Sequence, residues 1–404
     1  MPDFKQDSPI TTLHRLPNAS LETIEDELRT FAKRRPMTLI LPSLFSELEG
    51  PALPGILDEL EKADYIDEIV IGLDQANKKQ FEHAKDFFAR LPQKKQILWN
   101  DGPNLLAIDE QLKAKGLAPE QPGKGRNVWY CMGYIMAANR SRAIALHDCD
   151  ILTYSRDIPA RLFYPIANPN LDFEFCKGYY ARVNDRRQLS GRVTRLFVFP
   201  MLLALKKVLG NIDYIEFLDA FRYPLSGEFS MSLSMLSSMR IPSDWGLEIG
   251  ILSEVYRNTT PRRVCQVDIA DNYDHKHQEV GTNDHKGGLS RMSFEITKSL
   301  IRKLGTEGYA MDKSFFRAVK ATYLREALDM LESYHADAQL NGLTLDVHQE
   351  EKTIEMFASS IIDAGKTYQK MPMEVPFIPN WHRVFSALPN LQQEIQAAIA
   401  LDNQ

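Results

Sequence analysis

Long apolar runs are missing from this 404-residue chain. No stretch approaches the ~20 apolar residues a membrane-spanning helix needs, so no membrane partner is expected. Cysteine is scarce: the four present, Cys131, Cys149, Cys176 and Cys265, are widely spaced and include no Cys-x-x-Cys pair. That spacing argues against a disulfide framework or a zinc knuckle and for reduced thiols. An excess of basic residues is also absent. Lys and Arg number 48 against 54 Asp and Glu, a net charge of −6, and the chain as a whole has no nucleic-acid signature. The first residues are too polar for a secretion signal, so the protein is expected in the cytoplasm. What is present is ordinary for a globular protein: 44% hydrophobic and 25% charged residues, in a chain long enough for one large domain and a satellite.

Strand-length apolar runs alternate with helical patterns through the first quarter of the chain. Residues 37–41, 66–73 and 96–99 read as buried strands, with helices near 55–63 and 79–90. This order predicts βαβ units on a parallel sheet. Before it, residues 1–19 read as an irregular lead-in, followed by a helix that Ser20 caps and Pro36 ends. Further on, residues 127–139 form an amphipathic helix and 173–180 alternate like a strand. Residues 196–209 read as an apolar helix, 224–228 as a turn entering a helix, and 264–269 as a late strand. After residue 290 only helical patterns remain. The expected division is a helical extension over 1–36, an α/β domain over 37–285 and a helical region over 286–404.

The chemistry concentrates behind the apolar run 143–146, which delivers Asp148 and Asp150. Continued strand geometry would project both to one side. Paired carboxylates there form a hard oxygen site suited to Mg²⁺ or Mn²⁺, at the end of the strand where open α/β sheets bind ligands. A turn or helix cap explains such a pair equally well in isolation. Lys124, between Gly123 and Gly125 before a helix, suits a diphosphate; an ordinary loop with a solvated lysine is the competing reading. Gly191, Arg192, Val193 and Thr194 open another helix within a cluster of arginines. Amides, a guanidinium and a hydroxyl together suit a phosphate or carboxylate, although a capped basic surface loop has the same pattern. His275 and His277 are a metal pair, a single imidazole completing the carboxylate site, or a solvated loop.

Taken together, these stretches resemble the retaining glucosyl-3-phosphoglycerate synthases, relatives of the mannosyl-3-phosphoglycerate and mannosylglycerate synthases. The motifs that carry the resemblance are Gly-Lys-Gly at 123–125, Asp-Cys-Asp at 148–150, Gly-Arg-Val-Thr at 191–194, Pro-Leu-Ser-Gly-Glu at 224–228 and Gly-Leu-Glu-Ile-Gly at 246–250. They stand in the family's order, and the resemblance covers roughly residues 37–280. The resemblance implies an α/β fold of the GT-A type, a Rossmann-like nucleotide-sugar-binding mixed sheet flanked by helices, with an α-helical C-terminal region. It also implies Mg²⁺ or Mn²⁺, UDP-glucose as donor and a homodimer built partly through the C-terminal helices, which would also cover the site.

Residue by residue, Asp150 resembles the direct metal ligand, with Asp148 beside it holding ribose or metal. Lys124 resembles the lysine on the donor diphosphate. Pro42, Ser43, Leu44 and Glu47 fall where the family holds uridine, Asp74 where base or ribose is contacted, and Cys149 lies between the acidic pair. His275 matches the metal-binding histidine and His277 an acceptor-binding polar position, while Tyr273 stands where an arginine can occur. Gly191, Arg192, Val193 and Thr194 match the loop that holds the acceptor's phosphate. Glu228 resembles the glutamate near the sugar and the acceptor hydroxyl. The expected reaction is transfer of glucose to the 2-hydroxyl of 3-phospho-D-glycerate with retention, with Asp150, Lys124 and Glu228 as the catalytic set. Free D-glycerate as acceptor or GDP-mannose as donor are the alternatives in the same class. A sugar nucleotidyltransferase would need a glycine-rich loop after the first strand, where residues 42–54 contain only Gly50. A non-catalytic nucleotide-sugar-binding dimer is the remaining alternative.

Overall fold

The structure is a computed structural model, and it describes residues 6, 8–119, 122–242, 246–275, 288–371 and 378–404. Its strands are β1 (Thr11–Leu13), β2 (Met37–Leu44), β3 (Glu68–Asp74), β4 (Lys94–Trp99), β5 (Ala143–Leu146), β6 (Phe175–Tyr180), β7 (Phe229–Ser232) and β8 (Val264–Ala270). They form one eight-stranded sheet in the order β1-β8-β6-β7-β5-β2-β3-β4. The half made of β5, β2, β3 and β4 is parallel throughout, as expected of consecutive βαβ units with right-handed crossovers. Strand β7 runs antiparallel between β5 and β6, so the sheet is mixed rather than parallel.

Both faces of the sheet are covered. Leu39 and Leu41 of β2 enter the layer built with the helices Leu21–Ala32, Ala52–Leu60, Lys78–Phe88 and Asp157–Ala167. Ile40 between them enters the opposite layer, with Pro103–Ala114, Lys124–Ala138 and Phe199–Leu209. That alternation is why these strands read as continuous apolar runs. Each fully buried leucine or isoleucine stabilises the sandwich by about 1.5–3 kcal/mol.

The C-terminal helices Gly288–Thr306, Lys313–Leu340 and Val347–Lys370 pack on one another, and Lys313–Leu340 also packs on Phe199–Leu209. Trp381 opens the helix Trp381–Ala387 and stacks on Trp129 with ring centroids 4.1 Å apart. Its indole donates to the Trp129 carbonyl at 2.7 Å, and Trp129 donates to the Pro379 carbonyl at 2.8 Å. The last helix, Leu391–Asp402, lies against Pro103–Ala114 and Lys124–Ala138. The C-terminal region is therefore part of the same core as the sheet.

Several expectations change. The lead-in over 1–19 contains the edge strand β1, whose short run has no periodicity of its own and exists by pairing with β8. The turn after residue 224 enters β7 before its helix, Leu233–Ser238; the Ser and Met of that segment do not announce a strand, and the ladder with β5 makes one. Residues 193–198 are π-helical, ahead of the α-helix Phe199–Leu209. His277 lies outside the described residues.

Candidate active site

The parallel strands end along one edge, and there the site assembles. Strand β2 runs three residues further than expected, because its partner β3 continues beside it to Asp74. Leu44 is thereby set opposite Asp74, with Pro42 and Ser43 beside Gly72 and Leu73. Pro42 is tolerated in this central strand because β5 pairs only as far as Ile40, leaving no ladder bond for the missing N–H. Glu47 follows in the short helix Phe45–Leu48. Ser43 is a hydrogen-bond partner of the buried Cys149 thiol, and the charge of Glu47 acts on Asp150. The proposed donor residues from β2, β3 and the Asp148–Asp150 turn are therefore neighbours.

Asp74 is held by Asn100, which donates at 2.7 Å, and by Asn127, which donates at 3.1 Å and also to the Gly72 carbonyl at 2.8 Å. Burial raises its carboxyl above the usual range against those two donors. Neither asparagine was expected. Asn100 directly follows β4 and Asn127 sits in the first turn of Lys124–Ala138, and the sequence offers no signal that they share a carboxylate.

Strand β5 stops at Leu146, so Asp148 and Asp150 sit in an irregular turn rather than on a continuing strand. The turn is locked from below by His147, whose Nδ1 lies 3.0 Å from the Asp148 carbonyl and whose Nε2 meets the Tyr154 hydroxyl at 2.9 Å. Lys124 reaches Asp148 at 2.6 Å and Glu248 at 3.3 Å. Burial opposes the charge on Lys124, but these carboxylates outweigh it and push the ammonium above its ordinary value. Burial likewise opposes the Asp148 carboxylate, and Lys124 overcomes this and holds it low. At Asp150 burial and the Asp148 charge outweigh the pull of Lys124 and push the carboxyl up to about 7.

His275 is brought to Asp150 by the chain that leaves β8. Ile151 and His275 form an antiparallel bridge, and the Leu152 amide donates to the Asp274 carbonyl at 2.8 Å. The His275 Nδ1 then lies 3.8 Å from Asp150 Oδ2, while its Nε2 accepts from Arg182. Two carboxylates and an imidazole are a donor set that suits Mn²⁺ or Mg²⁺, and the crowded negative charge around Asp150 favours a cation. Among the described residues no three such groups are yet drawn together at ligand distance. In this arrangement Lys124 pairs with Asp148 and Arg182 with His275, contacts that a cation held there would displace.

Glu228 sits immediately before β7, and the antiparallel register places it beside the end of β5. It is fully buried and accepts from Tyr180 at 2.6 Å, Tyr273 at 2.7 Å and Ser226 at 2.9 Å. The rings of Tyr180 and Tyr273 stack at 3.8 Å. Gly227 presses against Asp148, where an added Cβ would stand 2.5 Å from Oδ2. This proximity explains glycine before Glu228. Beneath the loop, the buried Lys177 donates to the Ser226 carbonyl at 2.7 Å.

Gly191 has φ +74° and its missing Cβ would meet the Tyr223 hydroxyl at 3.1 Å, so glycine is required there. Arg182 donates to that same hydroxyl at 3.0 Å and, through its other arm, to His275. One guanidinium therefore spans from Tyr223, which packs beside Gly191, to His275. The Thr194 hydroxyl and the Arg182 Nε are buried without a hydrogen-bond partner among the described residues. Buried donors in that state favour an incoming acceptor such as phosphate. Val193 is buried, and Arg192 remains half-exposed with its Nε 3.4 Å from Glu350.

No protein-family model matches the chain. It is 44% identical to the glucosyl-3-phosphoglycerate synthase of Persephonella marina, over 100% of this chain and 99% of that relative. It is 40% identical to the protein of the same name from Methanococcoides burtonii, over 99% and 98%. Among solved structures, it is similar to glucosyl-3-phosphoglycerate synthase from Mycobacterium tuberculosis in complex with Mn²⁺, uridine-diphosphate and phosphoglyceric acid. That likeness has a TM-score of 0.54 and 20% identity, and covers 76% of this chain and 88% of that one. Mannosyl-3-phosphoglycerate synthase from Rubrobacter xylanophilus is similar at a TM-score of 0.53 and 20% identity, over 71% and 80%. The structural likenesses establish the fold, α/β of the GT-A type with a helical C-terminal region, and with full-length identity of 44% and 40% to its relatives the chain belongs to the glucosyl-3-phosphoglycerate synthase family.

Proposed function

We propose that this chain transfers glucose from UDP-glucose to the 2-hydroxyl of 3-phospho-D-glycerate with retention of configuration. The observation that carries the reading is Arg182, which ties the Gly191–Thr194 loop through Tyr223 to His275 beside Asp150. An acceptor phosphate on that loop would sit next to the group that holds the donor's diphosphate. The relatives' name and the bound UDP-glucose and phosphoglyceric acid of a Mycobacterium tuberculosis structure support the same pair of substrates.

In this reading Pro42, Ser43, Leu44, Glu47 and Asp74 line the uridine side. Lys124 leaves its ion pair with Asp148 for the diphosphate and offsets the charge that develops as UDP departs. Asp150 and His275, with Asp148, would hold Mg²⁺ or Mn²⁺. A cation bound there supplies further neutralisation at the leaving oxygens. The Thr194 hydroxyl and the Arg192 guanidinium take the acceptor phosphate, so the acceptor's hydroxyl is presented to the sugar from a fixed direction. Glu228 has both oxygens engaged by hydroxyls, which makes it a poor nucleophile. Its saturation supports attack on the same face as the departing UDP rather than a covalent glucosyl-enzyme. The reading includes a cytoplasmic homodimer. Among the described residues no helix is long and apolar enough to cross a membrane.

The test is UDP release with Mn²⁺ or Mg²⁺ and UDP-glucose, offered 3-phosphoglycerate or glycerate, with GDP-mannose in parallel and the product's anomeric configuration read by NMR. Turnover that requires UDP-glucose, 3-phosphoglycerate and the metal, with an α-linked product, is expected. Activity with glycerate alone would remove the phosphate role of Gly191–Thr194.

A further inference from the structure

The loop 187–195 is tied to residues 182–184 on one side and to the C-terminal helices on the other. Arg195 links the loop's own carbonyls to those helices. Its guanidinium donates to the Ser190 carbonyl at 2.9 Å and the Leu189 carbonyl at 3.3 Å. The other edge makes a two-pronged pair with Glu350, Nη2 to Oε1 at 2.8 Å and Nη1 to Oε2 at 3.1 Å. Glu350 lies in the first turn of Val347–Lys370, where the helix N-terminus favours a carboxylate. It is almost fully buried, and its Oε1 is also 3.4 Å from the Arg192 Nε. Two further contacts reinforce the junction. The Thr344 amide donates to the Arg187 carbonyl at 2.8 Å. The Tyr323 hydroxyl, from Lys313–Leu340, donates to the Leu196 carbonyl at 2.7 Å, inside the π-helical turn that begins at Val193.

From this junction we infer that Glu350 is a positioning residue for the phosphate end of the acceptor, setting Arg192 and Thr194 through Arg195. The inference rests on the reading of Gly191–Thr194 as the acceptor-phosphate loop. Arg192 makes its contact with Glu350 through Nε, which leaves its terminal nitrogens for an anion. Arg195, by contrast, spends its donors on Glu350 and on the loop's own carbonyls. One buried carboxylate between two guanidiniums thus divides their work: one is a rivet and the other a phosphate donor. A two-pronged Arg–carboxylate pair fixes direction as well as distance, and π-helical turns held in this way recur at functional sites. The C-terminal helices therefore serve acceptor selection as well as the core.

The experiment compares the full-length chain with Glu350→Gln and Tyr323→Phe, which keep side-chain volume while removing one charge and one hydroxyl. KM values for 3-phosphoglycerate and for UDP-glucose, kcat, thermal melting, and hydrogen exchange of residues 187–198 are measured on each. The expected result for Glu350→Gln is a rise of about tenfold or more in KM for 3-phosphoglycerate, with KM for UDP-glucose changed by less than about twofold. Tyr323→Phe moves the same constant in the same direction by a smaller factor. An unchanged KM for 3-phosphoglycerate in folded Glu350→Gln overturns the inference. So does a parallel loss in both KM values and kcat that tracks a fall in melting temperature, because a merely structural residue behaves that way. If Glu350→Gln does not fold, the KM split in Tyr323→Phe decides. Wild-type chain that ignores 3-phosphoglycerate defeats the acceptor reading itself, and the tether then stands or falls on whether 187–198 exchanges faster in the variants at unchanged global protection.

Discussion

Replacing Lys177 by Met is expected to stabilise the protein at neutral pH while slowing it. Lys177 is buried in β6 among Glu248, Glu228, Lys124 and Asp148. Burial lowers its ammonium from 10.5 to about 8, against the pull of Glu248 and Glu228. A base that is lowered on folding binds fewer protons folded than unfolded, so the stability it withholds below pH 8 returns as pH rises towards 10.5. At pH 7 this opposition is about 3 kcal/mol, from 1.36 kcal/mol per pH unit. Methionine fills the same space without it, but loses the bond to the Ser226 carbonyl, about 1–2 kcal/mol. The net is a gain of about 1–2 kcal/mol at pH 7 and a loss of about 1 kcal/mol or less at pH 10, where lysine is neutral in the fold but still largely charged in the unfolded chain. Thermal or urea unfolding of both chains at pH 7, 8.5 and 10 measures the difference. Its sign should reverse across that series. A difference that stays constant with pH would refute the argument, since nothing but Lys177 distinguishes the chains. Turnover at pH 7 should fall about tenfold, ~1.4 kcal/mol in the barrier, as the loop that presses Gly227 on Asp148 loses its anchor.

Lys124→Met should lower kcat by about 10²–10³ with little change in acceptor KM, measured by UDP release, because it removes preorganised charge at the leaving group. Gly227→Ala places a methyl 2.5 Å from Asp148 Oδ2; displacing that carboxylate costs about 1–3 kcal/mol and should appear as weaker Mn²⁺ activation. Thr194→Val should raise KM for 3-phosphoglycerate by about tenfold while leaving the donor KM unaltered, since only one buried hydroxyl is lost. Chelation should abolish turnover, and re-added Mn²⁺ should restore it and raise the melting temperature, as for any ligand bound only by the folded state.

The parallel half of the fold was legible because β2, β3 and β5 are buried on both faces; Leu39, Ile40 and Leu41 show both the pattern and its reason. Asp148, Asp150, Lys124 and Gly191–Thr194 were legible as chemistry, since short motifs carry their residue types with them. Strand β7 was not. It is Phe229–Ser232, where Phe and Met alternate with Ser over only four residues directly ahead of the helix Leu233–Ser238, and the ladders with β5 and β6 make it a strand.

By itself the sequence determined which residue types stand together in the proposed site: a basic residue at a helix start, paired carboxylates after a strand and a glycine-led loop proposed to hold a phosphate, each local in the chain. Tertiary structure alone decided which of these meet. Asn100 and Asn127 share Asp74, Arg182 spans from Tyr223 to His275, and Glu350 reaches Arg195 from 155 residues away. Such contacts leave no periodic trace, because a hydrogen bond needs two groups at about 3 Å in space and is indifferent to their separation along the chain.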